Sequence, residues 1–480
     1  MRQSCKRRYF LRSVAGGALL PLSRTLAKQE VVIPHDSREI VASPMPPWQA
    51  KVKRDNSTSI LPLDPKPIVR IESEADIVAA VAKINTVGKG TLIWGEGTFR
   101  IPSISDTHTA LYFANLSEFK MYGMSNKKTT LLQDIETKHA QLQLRLCAFE
   151  NIGKLDIAEL SVNGQRDKYI TPGSPEKGEN EHWQNAGDPA YHLHNNREAM
   201  NNIFMRNIGA GRIGNINNIS SRGDFINMAN VSNMTIHDCD ISNCGRNGIT
   251  LGGRRGLEWS RNIEIHACQF RSSIDTQMID LELHGSRTAT PSQFNRNLYI
   301  HDCLFEAQSP DDDIDQDQFA IVLYAIIDFL VENCEINSPV IVRNGHGVMR
   351  NNNGGIPQFT MDRYSSAEIE QTRFDLVPKL RKANKNVAGI LIARRDDISP
   401  LRFSLVDCDI NASQLESVIE IQDCLDVEIR NNRFSANSAA SKLLLIARSE
   451  DMTARISNNQ GINEPQTKEG NGKKVFIQSD

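Results

Sequence analysis

Apolar residues recur along the chain at a period of two, in short runs that end in Asn, Asp or Cys. One phrase returns five times around a cysteine. It reads Met234-Thr-Ile-His-Asp-Cys239-Asp-Ile, Ile263-Glu-Ile-His-Ala-Cys268-Gln-Phe, Leu298-Tyr-Ile-His-Asp-Cys303-Leu-Phe, Phe329-Leu-Val-Glu-Asn-Cys334-Glu-Ile and Phe403-Ser-Leu-Val-Asp-Cys408-Asp-Ile. Val427-Glu-Ile-Arg-Asn-Asn432-Arg-Phe continues the series with Asn in the cysteine slot, and Ala454-Arg-Ile-Ser-Asn-Asn459 closes it. Slots lie 29, 35 and 31 residues apart over the first four and 24 and 27 over the last three. A strand period with β-branched and aromatic residues excludes helical repeats. Repeats of this size predict a solenoid whose coils bury their faces on one another. The expected fold is all-β, a single right-handed parallel β-helix with like residues stacked inside. A β-sandwich is the competing arrangement, and it leaves the recurrence of the whole phrase unexplained.

The solenoid has a legible beginning. Ser73-Glu-Ala-Asp76 is a capping box with Asp in the acidic slot, Ile77, Val81 and Ile84 share one helical face, and Gly88 supplies a stop. A short N-terminal helix is therefore expected to cap the first coil. Gly90-Thr-Leu-Ile-Trp94-Gly-Glu-Gly-Thr98-Phe-Arg follows. With these residues the chain resembles the pectate-lyase-like superfamily of parallel β-helix proteins over roughly residues 70 to 460. The resemblance implies the architecture, and a chemistry drawn from lyases, hydrolases, epimerases or phage adhesins.

Composition changes the picture mainly at the ends. Residues 4 to 12 carry Lys6, Arg7, Arg8 and Arg12, followed by a weakly apolar Val14 to Leu22 and then Thr25-Leu26-Ala27. A basic region, a short apolar region and a small-residue site make an export signal. Arg7-Arg8 before Tyr9-Phe10-Leu11 resembles the twin-arginine type, which implies a periplasmic or secreted protein. The expected organisation is a signal at 1–27, an extended Pro-rich arm at 28–69, the β-helix at 70–462 and a polar, frayed tail at 463–480. Without residues 1–27 there are 49 Lys and Arg against 58 Asp and Glu, too acidic a balance for a strongly basic nucleic-acid binder. No apolar stretch reaches the roughly 18 residues of a membrane span. Twin-arginine export carries folded protein, so the cysteines are expected as buried thiols formed in a reducing compartment.

A β-helix fills its interior with side chains, so chemistry belongs on outward positions and loops. Aligning Phe225-Ile-Asn227, Gly248-Ile-Thr250, Met278-Ile-Asp280-Leu-Glu282-Leu-His284 and Ala320-Ile-Val322-Leu-Tyr324 puts Asp280, Glu282 and His284 outward together. Two carboxylates and an imidazole are a candidate acid–base set, with Tyr324 beside Glu282; the plainer alternative is a solvated face. Arg246, Arg254, Arg255 and Arg271 are candidate binders of uronate carboxylates or simply solubilise their turns. Asp311, Asp312, Asp313, Asp315 and Asp317 make a candidate calcium loop, without EF-hand spacing; the alternative is an acidic turn with no metal. Asn344-Gly345-His346-Gly347 resembles the Gly-His-Gly element of polygalacturonase-type hydrolases, though that family's other elements are missing. His192 and His194 share a strand face, and Lys168 to Asp188 has the length of a loop beside a cleft. The function these features point to is cleavage of glycosidic bonds in a polysaccharide, by a lyase or a hydrolase. The rival is a non-catalytic glycan-binding or surface-structural solenoid.

Overall fold

Alternating sequences place every second side chain on one face of a strand, and here the apolar faces turn inward on three sides of a coil. The computed structural model describes residues 64–101, 111–134, 145–165, 201–253, 259–272, 277–283, 294–307, 319–376, 389–412, 415, 417–435 and 442–478. One coil comprises Ile249–Gly253, Arg261–His266 and Gln269–Ser272; the next comprises Ile279–Leu283, Asn295–His301 and Leu304–Ala307. Equivalent strands pair in parallel, which makes three rows. In the first row Asn227, Thr250, Asp280 and Val322 stand in register. In the second row Met234, Ile263, Leu298 and Phe329 do. Both are the registers that the repeated phrases require. Phe270 stacks on Phe305 with centroids 4.8 Å apart, near the spacing of adjacent strands.

The corners explain the polar end of each phrase. Asp238, Ala267, Asp302, Asn333, Asn351, Gln371, Asp407, Asn431 and Asn458 all have positive φ, between 47° and 56°. Asn and Asp enter this left-handed region at least cost among residues with a Cβ. The next residue is the buried slot. Cys239, Cys268, Cys303, Cys334 and Cys408 fill it, each thiol donating to the carbonyl two residues back at 3.2 to 3.4 Å. Asn352 and Thr372 occupy the same slot between Cys334 and Cys408. Thr372 Oγ1 makes the same backward bond at 2.9 Å, and Asn352 accepts from the Cys334 N–H at 3.0 Å. Two coils thus lie inside the gap in the cysteine series, hidden because neither carries Cys at the corner.

The helix Ile77–Val87 buries Ile77, Ala80, Val81 and Ile84, and it ends at Gly88 with φ 77°. The capping box is formed on the short 3-10 turn Glu74–Asp76 that leads into it, Asp76 accepting from the Ser73 N–H at 3.0 Å. At the other end the segment expected to be frayed contributes Gln466–Glu469 and Val475–Gln478, both in parallel pairs. Its polarity is as expected. The pairing extends the rows beyond residue 462 because backbone hydrogen bonds need no apolar side chain. Among the described residues no helix is long and apolar enough to cross a membrane.

Among the described residues, eight cysteines are buried thiols. Burial pushes the Cys239 and Cys303 thiols well above the usual range, which suppresses the nucleophilic thiolate. Thiol titration is expected to find Cys239, Cys268, Cys303 and Cys334 silent in native protein and reactive after denaturation. Disulfides among these four would contradict it.

Candidate functional site

The first row carries the residues that the sequence singled out. Asp280 leaves the strand away from the core, but it is covered, at 3% exposure. At this position the plainer alternative of a solvated face does not hold, because neighbouring polar side chains close over the carboxylate. Asn247 Nδ2 donates to Asp280 Oδ2 at 3.0 Å and to Thr250 Oγ1 at 2.9 Å. Asp224, fully buried one coil back, accepts from Asn227 at 2.9 Å and pairs with Arg246 at 3.2 Å. Burial raises its carboxyl pKa despite the pull of Arg246. Arg246 is therefore held by a carboxylate of its own chain rather than presented to a ligand. The Tyr324 hydroxyl accepts from Arg363 at 2.7 Å. Glu282 lies on the strand Ile279–Leu283.

Arg271 is not on this face. It sits in the third row, with Asp240 at 3.5 Å and Glu306 at 3.6 Å, so the expected convergence with Asp280 does not occur. His346 lies on the strand Val340–Arg350, also away from Asp280. Burial lowers its pKa to about 4, and Nδ1 has no hydrogen-bond partner. A Cβ on Gly347 would stand 2.2 Å from the Phe329 carbonyl oxygen, so this Gly serves a close backbone approach. His284, Arg254, Arg255, His192, His194, the Lys168 to Asp188 loop and Asp311, Asp312, Asp313, Asp315 and Asp317 lie outside the described residues, as does the 1–27 signal. Among the described residues no group of three His, Cys, Asp or Glu is arranged to hold a metal ion.

His346 sets a pH dependence. Folded protein holds it neutral down to about 4, whereas an unfolded His titrates near 6.5. Between those values the unfolded chain binds more protons, so stability falls as pH drops through the window. Partial solvent contact keeps the loss on the order of 2 kcal/mol. Urea midpoints measured from pH 7 to 4 should therefore fall less steeply for His346→Gln than for the parent chain.

The open chemistry lies in the second row. Tyr122, Ala158, Gly214 and His237 stand side by side there, as do Lys120, Asp156, Arg212 and Thr235 two residues earlier. Two consecutive small residues between a tyrosine and a histidine leave a notch. It is a hollow of about 360 Å³ lined by Ala158, Glu159, Arg212, Gly214, Asn215, His237 and Asp238. Asp156, 2% exposed, holds Arg212 by two bonds of 3.1 and 3.0 Å. That bidentate pair orients the guanidinium. On the other wall Asn215 donates to Glu159 at 2.6 Å. His237 Nδ1 is 2.6 Å from Asp238 Oδ2. A carboxylate only accepts, so Nδ1 donates to Asp238 and Nε2 is the ring nitrogen left to take a further proton. A Cβ on Gly214 would come within 2.5 Å of that Nε2, which places it at the floor of the hollow.

His237 begins a ladder. His266 stacks on it at 5.3 Å and His301 on His266 at 4.9 Å. His301 contacts Asp302 at 2.6 Å and Glu264 at 3.2 Å. Burial opposes its protonation, but these two carboxylates outweigh burial and raise its pKa. Burial and the neighbouring imidazoles lower that of His266. Sequence reasoning passed over all three histidines, although they stand two residues before Cys239, Cys268 and Cys303 in the repeated phrase. Position in the repeat was the available signal, because outward residues at equal positions stack.

No family model matches the sequence, and no curated protein is similar to it. Solved structures are similar in fold. Gene product 12 of bacteriophage phi29 gives a TM-score of 0.50 at 12% identity, covering 84% of this chain and 54% of that one. The A-module of a mannuronan C-5 epimerase from Azotobacter vinelandii gives 0.46 at 10%, covering 85% and 96%. An exopolygalacturonase from Thermotoga maritima gives 0.42 at 12%, covering 89% and 96%. At these identities the likeness is one of fold alone, that of a parallel β-helix.

Proposed function

We propose that this chain is an exported right-handed parallel β-helix that cleaves glycosidic bonds in an acidic polysaccharide lying across the second row, with the chemistry centred on the hollow at His237. The observation that carries this reading is an oriented imidazole base and a fixed guanidinium lining one solvent-open hollow. Elimination at a uronate needs both. The base takes the proton at C5 while a cation neutralises the adjacent carboxylate, and the electron pair then expels the C4 oxygen. In this assignment His237 Nε2 receives the proton, Arg212 faces the carboxylate, and solvent protonates the leaving oxygen. Polysaccharide substrates also agree with the epimerase and the exopolygalacturonase that share the fold. Export rests on the Arg7-Arg8 signal.

A hydrolase is the second reading. Glu159 and Asp238 flank the hollow two coils apart, about 10 Å by strand spacing, near the separation of an inverting pair of carboxyls. The Asp280, Glu282 and His284 face remains a proposal as well, with Asp280 in a positioning role because it is covered. Incubation with a panel of polyuronates and neutral glycans tests these together. Elimination gives absorbance at 235 nm, hydrolysis gives reducing ends without it, and a glycan-binding solenoid gives neither.

A further inference from the structure

A second cluster of charge lies on the first row, away from the hollow. Tyr324, Arg343 and Asp362 stand in register on the strands Ile321–Glu332, Val340–Arg350 and Phe359–Asp362. Asp362 is 3% exposed. Arg343 Nε reaches its Oδ2 at 3.1 Å, and Arg395 Nη1 reaches the same oxygen at 3.3 Å. Arg363 donates to Asp396 at 2.6 Å and to the Tyr324 hydroxyl at 2.7 Å, and its Nε stands 3.9 Å from the other oxygen, Asp362 Oδ1. Three guanidiniums thus meet two carboxylates, and two of the three share a single oxygen atom.

That sharing has a physical consequence. A guanidinium has five N–H donors arranged to grip a carboxylate by two at once. Arg343 and Arg395 each give Asp362 one. Their side chains are 27% and 49% exposed, so the remaining donors and the uncompensated positive charge face solvent. Guanidiniums brought together over one oxygen repel each other, and an external anion relieves that repulsion. Asp362 fixes the pair without neutralising it.

We propose that Arg343 and Arg395 form an anion subsite that takes the carboxylate of a uronate residue in an acidic glycan. The proposal rests on the reading of the chain as a glycan-acting protein, but it concerns binding on the first row rather than cleavage on the second. Tyr324 and Asp396 serve by taking the hydrogen bonds of Arg363.

Calorimetry of the full chain against a saturated uronic-acid trisaccharide, a neutral trisaccharide of the same linkage and a sulfated one tests it. The uronate is expected to bind, with affinity falling at least tenfold in Arg395→Gln and in Arg343→Gln and falling with added salt. Arg395 is half exposed, so its variant should fold even if the other does not. Asp362→Asn, which removes the competing charge, should tighten binding. Equal affinity for the uronate in the parent chain and in Arg395→Gln overturns the subsite. So does binding of the neutral sugar as tightly as the uronate, and so does stronger, Arg395-dependent binding of the sulfated one. Cleavage on the glycan panel reads the other question separately. Arg395-dependent binding without any cleavage would sink the lyase reading and leave the subsite standing.

Discussion

His237→Gln is expected to lower the cleavage rate by a factor of about 10² to 10⁴, the usual worth of a positioned general base, while the fold survives. The ring is part-exposed at the end of the imidazole ladder and contacts His266 on one side only among the three histidines. Gln is polar and of similar reach, so it leaves no buried group without a partner. The loss should appear in kcat rather than KM, because proton transfer occurs only in the transition state. Arg212 needs a different design. Its removal alone would strand Asp156, and an unpaired buried charge costs about 3–5 kcal/mol. The double change Arg212→Gln with Asp156→Asn keeps shape and neutrality, and it should reduce cleavage of a uronate polymer with little change in melting temperature. Asp280→Asn and Glu282→Gln are the contrasting variants. If those two abolish activity while His237→Gln retains it, the chemistry belongs to the first row.

For stability, the largest effect is expected at the corner slot. Asn432 is 1% exposed. Its Oδ1 accepts from the Cys408 N–H at 2.9 Å, and its Nδ2 donates to the Leu405 carbonyl at 2.8 Å and to Asn459 Oδ1 at 2.9 Å. Asn432→Ala leaves a backbone donor and a backbone acceptor buried without partners, each worth about 1–3 kcal/mol. Urea unfolding should show a loss of about 2–5 kcal/mol at an unchanged slope. The exposed amide row gives the control. Asn207 Oδ1 accepts from Asn230 Nδ2 at 2.8 Å, in contact with solvent. Asn230→Gly keeps a backbone that tolerates φ 54° and should cost under about 1 kcal/mol, since water replaces the lost bond. Equal losses at the two positions would show that the corner amides do not act through burial.

The repeated phrases dictate the register. Asn227, Thr250, Asp280 and Val322 pair as their alignment demands, because a slip of one residue would turn Ile249, Ile279 and Ile321 out of the core. The corner cysteines and the capping helix were legible for the same reason: each is a local choice of residue that burial or a dihedral angle enforces. Asn352 and Thr372 escaped because any small side chain that satisfies the corner carbonyl will serve there.

The site was less legible. Period-two alternation tells inward from outward, and it correctly sent Asp280 outward. It does not tell open from covered, which depends on the side chains of adjacent coils: Asn247 and Thr250 beside Asp280, but Ala158 and Gly214 beside His237. It also pairs Arg271 with no face, because the corner at Cys268 turns the chain into another row. The sequence by itself determined the all-β solenoid, its register and its buried thiols, since these follow from local periodicity repeated along one dimension. Only the tertiary structure decided where a hollow opens and which arginines are already held by a carboxylate, because both depend on residues some 20 to 60 positions apart being stacked about 4.8 Å from one another.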